Sequence, residues 1–370
     1  MRRPFAVRAG ALLTGVFRAL GALRALGALR ALGALRALGA LRALGVLGFL
    51  GVLLAGGFAV PVAFAADGDK GFTIEDPRVT ESSGLAASRQ HPGVYWTHND
   101  SDDGPYLYAV DSASGKTVAR LTLTGIGSPR DVEAISIGPG NEIWVGDIGD
   151  NLGGTWKYVW IYRLPEPAKL VDQTVKATQY VVKYSDGARD AESLLVHPKT
   201  GRVYIIDKKE DGGHLYEGPA KLSASGTNIF KPVAAVDLWA TDAAFSPDGS
   251  QLAVRGYFGG IYYAWNGGKI ERKGRLDVPL QRQGESVSYS ADGTKLLYGS
   301  EGAGSSVVAE DAPDGAGSSG SKSSSGGGSS SASGDGGGSS AAGSGVKFGA
   351  LAVAVVAAVV FGFRRLLRRN

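Results

Sequence analysis

Five internal repeats constrain the fold of this chain more than any other feature of its sequence. They begin at Ser83, Glu133, Glu192, Thr241 and Glu285, at intervals of 50, 59, 49 and 44 residues. Each repeat is a short alternating apolar segment, a turn rich in Pro, Gly and Asp, and a second alternating segment, which is typical of a β-hairpin. A period of about 50 residues without helical patterning predicts an all-β protein, a β-propeller with four-stranded blades.

The number of blades follows from the number of repeats. Five repeats predict five blades, and six stay open because the interval of 59 residues after Glu133 could contain an irregular blade. The segment 72–79 precedes the first repeat and is placed to supply a closing strand to the last blade. Trp96 and Trp144 occupy matching strand positions and are expected to pack between blades. We expect the propeller to span residues 66–314.

The charge of the chain is divided unevenly. The whole chain has 39 basic and 35 acidic residues, but residues 1–65 carry eight arginines and residues 347–370 five basic groups, with no acid in either segment. The body of the chain is therefore acidic, which argues against nucleic-acid binding. The absence of cysteine excludes disulfides, zinc-finger patterns and a cysteine nucleophile. We expect a monomer.

The amino-terminal segment has the pattern of an export signal. An uncharged run, 43–66, follows a repeated RALGAL segment of low complexity and ends in Ala63-Phe64-Ala65, a small-x-small pattern typical of signal peptidase sites. We therefore expect a signal peptide over residues 1–65. An uncleaved membrane anchor is the alternative.

The carboxyl-terminal segment has the pattern of a membrane anchor. Residues 315–345 contain 25 Gly or Ser among 31 residues, which is typical of a flexible linker. Residues 348–363 are then uncharged and precede the basic sequence RRLLRR. The segment 346–370 is predicted to be a transmembrane helix with a basic cytoplasmic tail. A single-pass protein of the cell membrane, with its propeller outside the cytoplasm, is expected.

Two repeats resemble a known group of proteins. The sequences SPDGSQLAV and SADGTKLLY, which start at Ser246 and Ser290, resemble the core of TolB and WD40-like propeller repeats of bacteria. ESSGL with WTHNDS, and DVEAIS with WVGDIGDN, look like a wider group of exported bacterial propellers, part of which is similar to phytase-like propellers. The resemblance implies the propeller fold and indicates little about activity.

Acidic residues recur at one end of the predicted blades. The two strands of a hairpin are antiparallel, so the start of the first lies beside the end of the second. Glu133 should then lie near Asp147, Glu192 near Asp207, Glu285 near Ser300 and Glu301, and Thr241 near Arg255. Oxygen ligands without His or Cys favour Ca²⁺ or Mg²⁺ over zinc. The predicted calcium ligands are Asp100, Glu133, Asp147, Asp150, Glu192 and Asp207; the alternative is that these acids cap turns and pair with arginines.

Further candidates surround this acidic end. Glu285 is the candidate general base, and His98 is the one histidine expected near it, so both are candidate catalytic residues. The candidate ligand-binding residues are Asn99, Arg130, Arg189, Arg255 and Glu301.

Three hypotheses of function follow. The first is an anchored binding module whose acidic mouth holds a cell-wall component, a small molecule or an extracellular protein. The second is a calcium-dependent hydrolase of phosphoesters or lactones, in which the metal polarises the substrate. The third is a purely structural surface protein.

Overall fold

The computed structural model describes residues 70–101 and 103–313. The predicted signal segment, linker and membrane anchor lie outside these residues. Within them, no helix is long and apolar enough to cross a membrane.

Strands in this part of the chain form five antiparallel units of four strands. The first two units are β2 (Ser82–Ala87), β3 (Val94–Asn99), β4 (Tyr106–Asp111) and β5 (Thr117–Thr124), then β6 (Val132–Gly138), β7 (Glu142–Asp147), β8 (Val159–Pro165) and β10 (Thr178–Tyr184). The third is β11 (Ala191–Val196), β12 (Val203–Asp207), β13 (Gly213–Glu217) and β14 (Thr227–Val236). The fourth is β15 (Ala240–Phe245), β16 (Gln251–Gly256), β17 (Gly259–Asn266) and β18 (Lys269–Leu276). The fifth is β19 (Gly284–Tyr289), β20 (Lys295–Ser300), β21 (Ser306–Asp311) and β1 (Phe72–Thr73).

The innermost strands of these units make a closed ring. Each of β2, β6, β11, β15 and β19 packs against the next, and β19 packs against β2. Five blades around a common axis are a β-propeller. Strand β1 pairs with β21, with Phe72 opposite Val307, so the expected closure of the last blade by the segment ahead of the first repeat is confirmed.

The long interval between the second and third repeats does not hold a sixth blade in the described residues. It contains β9 (Gln173–Lys176), which adds to β5 of the first blade in parallel. Strand β10 also pairs in parallel with β14, which joins the second and third blades at their outer edges.

Each interface between neighbouring blades has its own apolar core. Trp96 is fully buried between the first and second blades, and Trp144 lies between the second and third. Both positions confirm the sequence prediction. The propeller is thus held by side chains that project from the sheet faces, since each blade buries both of its faces against its neighbours.

The SPDG-type turns show why the chain reverses its direction at these positions. In the fourth blade, Oδ1 of Asp248 accepts hydrogen bonds from Oγ of Ser246 at 2.6 Å and from the amide of Ser250 at 2.9 Å. Gly249 follows with φ of 69°, a left-handed conformation that favours glycine. Asp292 makes the same bonds in the fifth blade.

Candidate functional site

A β-bulge stands at the start of the innermost strand in every blade. The pairing slips by one residue between Val132 and Ala134, and between Ala191 and Ser193, so Glu133 and Glu192 occupy the bulges of their blades. Equivalent slips occur at 82–85, 240–242 and 284–287. A bulge redirects a side chain that strict alternation would send to a sheet face. The five bulges lie around one end of the central channel, which we call the mouth.

The expected pairing at the mouth is confirmed to within one residue. Val132, next to Glu133, lies opposite Asp147, and Ala191, next to Glu192, lies opposite Asp207. Gly284, next to Glu285, lies opposite Ser300. In the fourth blade the bulge places Asp242, rather than Thr241, opposite Arg255.

Asp100, Asp131 and Glu133 form a carboxylate triad in which one oxygen of each lies within 4.8 Å of the others. The triad joins two blades, because Asp100 follows β3 and the other two stand at the start of β6. The amide of Val132 donates to the carbonyl oxygen of Asp100 at 2.9 Å. A Cβ at Gly149 would lie 2.6 Å from Oε1 of Glu133, so a larger residue in the loop after β7 would displace the carboxylates of the triad.

The electrostatics of the triad favour a cation. Burial raises the pKa of Glu133 well above its ordinary value, and the neighbouring charges of Asp100, Glu192 and Asp131 raise it further. Lys208 acts in the opposite direction. A buried carboxyl among other carboxylates is disfavoured in its charged form until positive charge is supplied.

Lys208 supplies part of that charge. It follows β12, and its ammonium pairs with Oε1 of Glu192 and lies 5.5 Å from the ring centroid of Tyr257. Burial alone would lower the pKa of Lys208, but Glu192, Tyr257, Glu133 and Glu285 hold it well above its ordinary value. Oε2 of Glu192 is buried without a hydrogen-bond partner in the described residues.

Three residues at the mouth were not predicted from the sequence: Asp131, Asp190 and Lys208. A signal for the two aspartates exists, because Arg-Asp-x-Glu occurs at 130–133 and again at 189–192. Asp190 accepts a hydrogen bond from the amide of Asp150 at 2.9 Å, and burial raises its pKa. No comparable sequence pattern marks Lys208. We call the six acids at this end the mouth carboxylates: Asp100, Asp131, Glu133, Asp190, Glu192 and Glu285.

Three predicted calcium ligands are bonded within their own blades instead of meeting the triad. Asp147 accepts hydrogen bonds from the Tyr162 hydroxyl at 2.5 Å and the amide of Asp131 at 3.1 Å. Asp150 accepts the amide of Trp156 at 2.5 Å. Asp207 accepts Nη1 of Arg189 at 2.9 Å. These bonds correspond to the turn-capping and arginine-paired alternative, so of the predicted ligands only Asp100 and Glu133 belong to the triad.

The candidate arginines have different surroundings. Arg130 lies between two indole rings, 3.9 Å from the centroid of Trp156 and 3.7 Å from that of Trp160. Arg189 pairs with Asp207 and with Asp186, each at 2.9 Å.

Arg255 lies at the mouth end of β16, but its side chain is completely buried, which corrects its expected role as a ligand-binding residue. Nη1 donates to the carbonyl oxygens of Ser286 and Gly299, both at 2.7 Å. Its guanidinium therefore braces the fourth blade against the fifth.

The remaining candidates line the edges of the mouth. His98 is buried, which lowers its pKa to about 4, and its Nδ1 lies 3.1 Å from the carbonyl oxygen of Asn99. The side-chain oxygen of Asn99 accepts the amides of Thr80 and Glu81. Glu301 is half-buried after β20, and its amide donates to the carbonyl of Gln283 at 2.9 Å.

Glu285 is buried in the fifth blade. Its Oε1 accepts a hydrogen bond from Nε2 of Gln283 at 2.9 Å. Burial raises its pKa, against the opposing effects of Lys208 and Arg255. A catalytic role for Glu285 or His98 stays a prediction.

Comparisons with known proteins add no family. No family model matches the chain, and no curated protein matches its sequence. Solved structures that it is similar to include the soluble aldose sugar dehydrogenase of Escherichia coli in its apo form, at 11% identity and a TM-score of 0.42, over 65% of this chain and 98% of that one. Another is hydrazine synthase of Kuenenia stuttgartiensis, at 14% identity and a TM-score of 0.35, over 59% of this chain.

The WD40 repeats of RRP9 are also similar, at 13% identity and a TM-score of 0.34, over 62% of this chain and 67% of that one. The chain spans 61% of the hydrazine synthase chain. The propeller assignment rests on the strand pairing and the closed ring of blades.

The three carboxylates of the triad offer oxygen donors, the ligand type that calcium prefers. Calcium takes six to eight oxygen ligands at about 2.4 Å, so two ligand oxygens on opposite sides of one ion lie about 4.8 Å apart. The spread of the triad oxygens fits this limit. Three carboxylates leave coordination positions for water or for oxygens of a ligand.

Proposed function

We propose that this protein is a membrane-anchored binding module that takes up a calcium ion at its acidic mouth and holds an extracellular ligand there. The observation that carries the proposal is the triad of Asp100, Asp131 and Glu133, in which buried oxygens of two blades approach within 4.8 Å. The ion would offset the repulsion among these groups and present open coordination positions to ligand oxygens.

The proposed location follows from the ends of the chain. An export signal over residues 1–65 and an anchor over residues 346–370 would place the propeller outside the cytoplasm, with the carboxyl terminus inside. The Gly/Ser linker at 315–345 would give the propeller reach from the membrane. Cell-wall components, small molecules and extracellular proteins are the ligands that such a location offers.

A thermal melt of the purified full-length protein, in EDTA and then in millimolar calcium, tests the cation site. Binding to the folded state alone stabilises it by about 2.7 kcal/mol at a calcium concentration about a hundredfold above Kd, so the melting midpoint should rise. Glu133→Gln should abolish the rise.

Glu271→Gln is the matched control for that substitution. Glu271 is exposed on β18 and pairs with the exposed Lys273, far from the bulges. This variant should respond to calcium as the wild type does. An absent rise in the wild type, or an equal rise in Glu133→Gln, would rule out the site.

A calcium-dependent hydrolase is the second candidate. The observation that favours it is Glu285, a buried carboxyl with a raised pKa that shares the neighbourhood of Lys208 with Glu133. Such a group can exchange protons with a substrate held nearby. The hydrolase would be supported if the wild type turns over a phosphoester or lactone substrate and Glu285→Gln does not, while calcium still raises the melting midpoint of that variant. If the wild type shows no turnover with any divalent ion, the hydrolase is ruled out.

A further inference from the structure

The three most exposed large apolar side chains in the described residues lie at the mouth. Leu280, Phe258 and Leu152 are 90%, 64% and 63% exposed, the highest values among the large apolar residues that the structure describes. The other large apolar residues with substantial exposure lie on or beside outer strands: Val118, Val171, Ile229 and Val233.

The three residues lie on the same rim as the mouth carboxylates. Leu152 belongs to the loop after β7, and Phe258 to the turn between β16 and β17. Leu280 belongs to the connection that leads into β19 and hence to Glu285. In an antiparallel blade these loops all leave the end at which the innermost strand starts. We call Leu152, Phe258 and Leu280 the apolar rim.

Aromatic side chains connect the apolar rim to the carboxylates. The rings of Phe258 and Tyr257 are 6.3 Å apart, and those of Tyr257 and Trp239 are 5.2 Å apart. Tyr257 in turn lies beneath the ammonium of Lys208, which pairs with Glu192. A chain of ring and cation contacts therefore runs from exposed Phe258 to the buried carboxylates.

Lys208 shows which chemical group this surface accommodates. Its ammonium contacts a carboxylate and the face of an aromatic ring at once, which is the environment that binds cationic side chains in proteins. The six mouth carboxylates outnumber the cations that act on them, Lys208 and, at Glu285, Arg255, so added positive charge would stabilise their ionised forms. A further cation of the same kind would be attracted to the mouth.

We propose that the apolar rim and the mouth carboxylates together form the docking surface for a polypeptide partner, whose lysine or arginine enters the mouth while adjacent apolar side chains cover Phe258 and Leu280. The negative charge of the mouth carboxylates favours a partner with a cationic side chain. An anionic lipid surface would be repelled by the carboxylates, and a second copy of this chain would present the same acidic rim. The proposal rests on the proposed binding function, of which it specifies the partner.

Fluorescence anisotropy with a labelled peptide of lysine and leucine tests the docking surface on the full-length protein in EDTA. The wild type should bind this peptide, and the double variant Phe258→Ser with Leu280→Ser should weaken binding about tenfold or more, as loss of exposed apolar contacts at the centre of an interface does. Glu192→Gln with Glu285→Gln should weaken it as well and reduce its dependence on salt.

Val118→Ser with Val171→Ser is the matched control, because it removes two exposed apolar residues away from the rim. It should change the dissociation constant by less than about twofold. A peptide of lysine and serine should bind more weakly than the leucine peptide. The proposal is overturned if the wild type does not bind, if the serine peptide binds equally well, or if the control variant loses as much affinity as the rim variant.

A calcium melt of the rim variant separates the two proposals. Phe258 and Leu280 are not part of the triad, so the calcium-induced rise should be the same as in the wild type. If calcium has no effect on any variant while the rim still binds the peptide, the cation site fails and the docking surface stands. If calcium acts normally and the peptide does not bind, the docking surface alone fails.

Discussion

Arg255 illustrates how a single side chain fixes two blades at this mouth. Besides its bonds to two carbonyl oxygens of the fifth blade, its Nη2 donates to Oε1 of Gln281 at 2.7 Å. The guanidinium also lies 5.4 Å from the ring centroid of Tyr298. Burial lowers the pKa of Arg255 to about 10, so it is still cationic at neutral pH.

Replacing this arginine should destabilise the propeller strongly. Arg255→Met would leave the carbonyl oxygens of Ser286 and Gly299 buried without their donor, at a cost of about 3 to 5 kcal/mol. The loss can be measured by urea denaturation of the full-length protein. Arg275→Met, at an exposed position on β18, should cost less than about 0.5 kcal/mol; equal effects of the two substitutions would contradict the bracing role.

Sequence could place Arg255 at the mouth but could not show that it is buried. Its position at the end of β16 follows from the repeat, whereas its contacts depend on the adjacent blade. Lys208 is missed for the same reason, since the groups that act on it come from four blades and no local pattern encodes them. Asp131 and Asp190 could have been found from the Arg-Asp-x-Glu pattern.

Among the elements, the bulges set the geometry of the site and β1 closes the ring of blades. Strand β1 forms two residue pairs with β21. Ile74 follows them in the chain, and its amide donates to the carbonyl oxygen of Ser305 at 2.9 Å. The Ile74 side chain is 1% exposed and packs between the fifth and first blades. The segment ahead of the first repeat therefore holds the ring closed through side-chain packing as well as strand pairing.

Truncating Ile74 should weaken this closure. Ile74→Ala removes a buried side chain from the interface and should lower the free energy of unfolding by about 3 kcal/mol. Chemical denaturation followed by tryptophan fluorescence measures it. Val118→Ala, at a position 40% exposed on β5, should have an effect below about 0.5 kcal/mol, and a similarly small effect of Ile74→Ala would show that closure does not depend on this packing.

The strands and turns were the most predictable part of the structure. Alternating residues and turn chemistry specify each hairpin locally, so the five repeats and the closing strand follow from sequence. The bulges do not, because a one-residue slip leaves no compositional trace. It is nevertheless the slip that turns Glu133 and Glu192 away from regular alternation, so the finer geometry of the site could not be predicted.

Across the whole molecule, buried acids make stability depend on pH. Burial raises the pKa values of Glu192, Glu285 and Asp242. Between the unfolded pKa of about 4 and these raised values, the folded state binds more protons than the unfolded state. Stability therefore falls as pH rises through this window. Asp76, whose pKa is lowered by its hydrogen bond to Arg78, contributes oppositely, but only as pH falls below about 4.

Thermal melts in EDTA at pH 5 and pH 7.5 check this dependence. The midpoint should be higher at pH 5, and Glu285→Gln should reduce the difference because it removes one of the protons involved. A midpoint that rises with pH across this interval would show that the mouth carboxylates are ionised at little cost in the folded protein.

The mouth is proposed to bind a divalent cation. Calorimetric titration of calcium into the EDTA-treated, desalted full-length protein tests this proposal most directly. We predict a saturable heat for the wild type and for Asp311→Asn, whose carboxylate is exposed and paired with Lys295 at the outer edge of the fifth blade. In Asp131→Asn the heat should disappear. A wild type without saturable heat, or an Asp131→Asn variant that binds calcium as tightly as the wild type, would contradict the account.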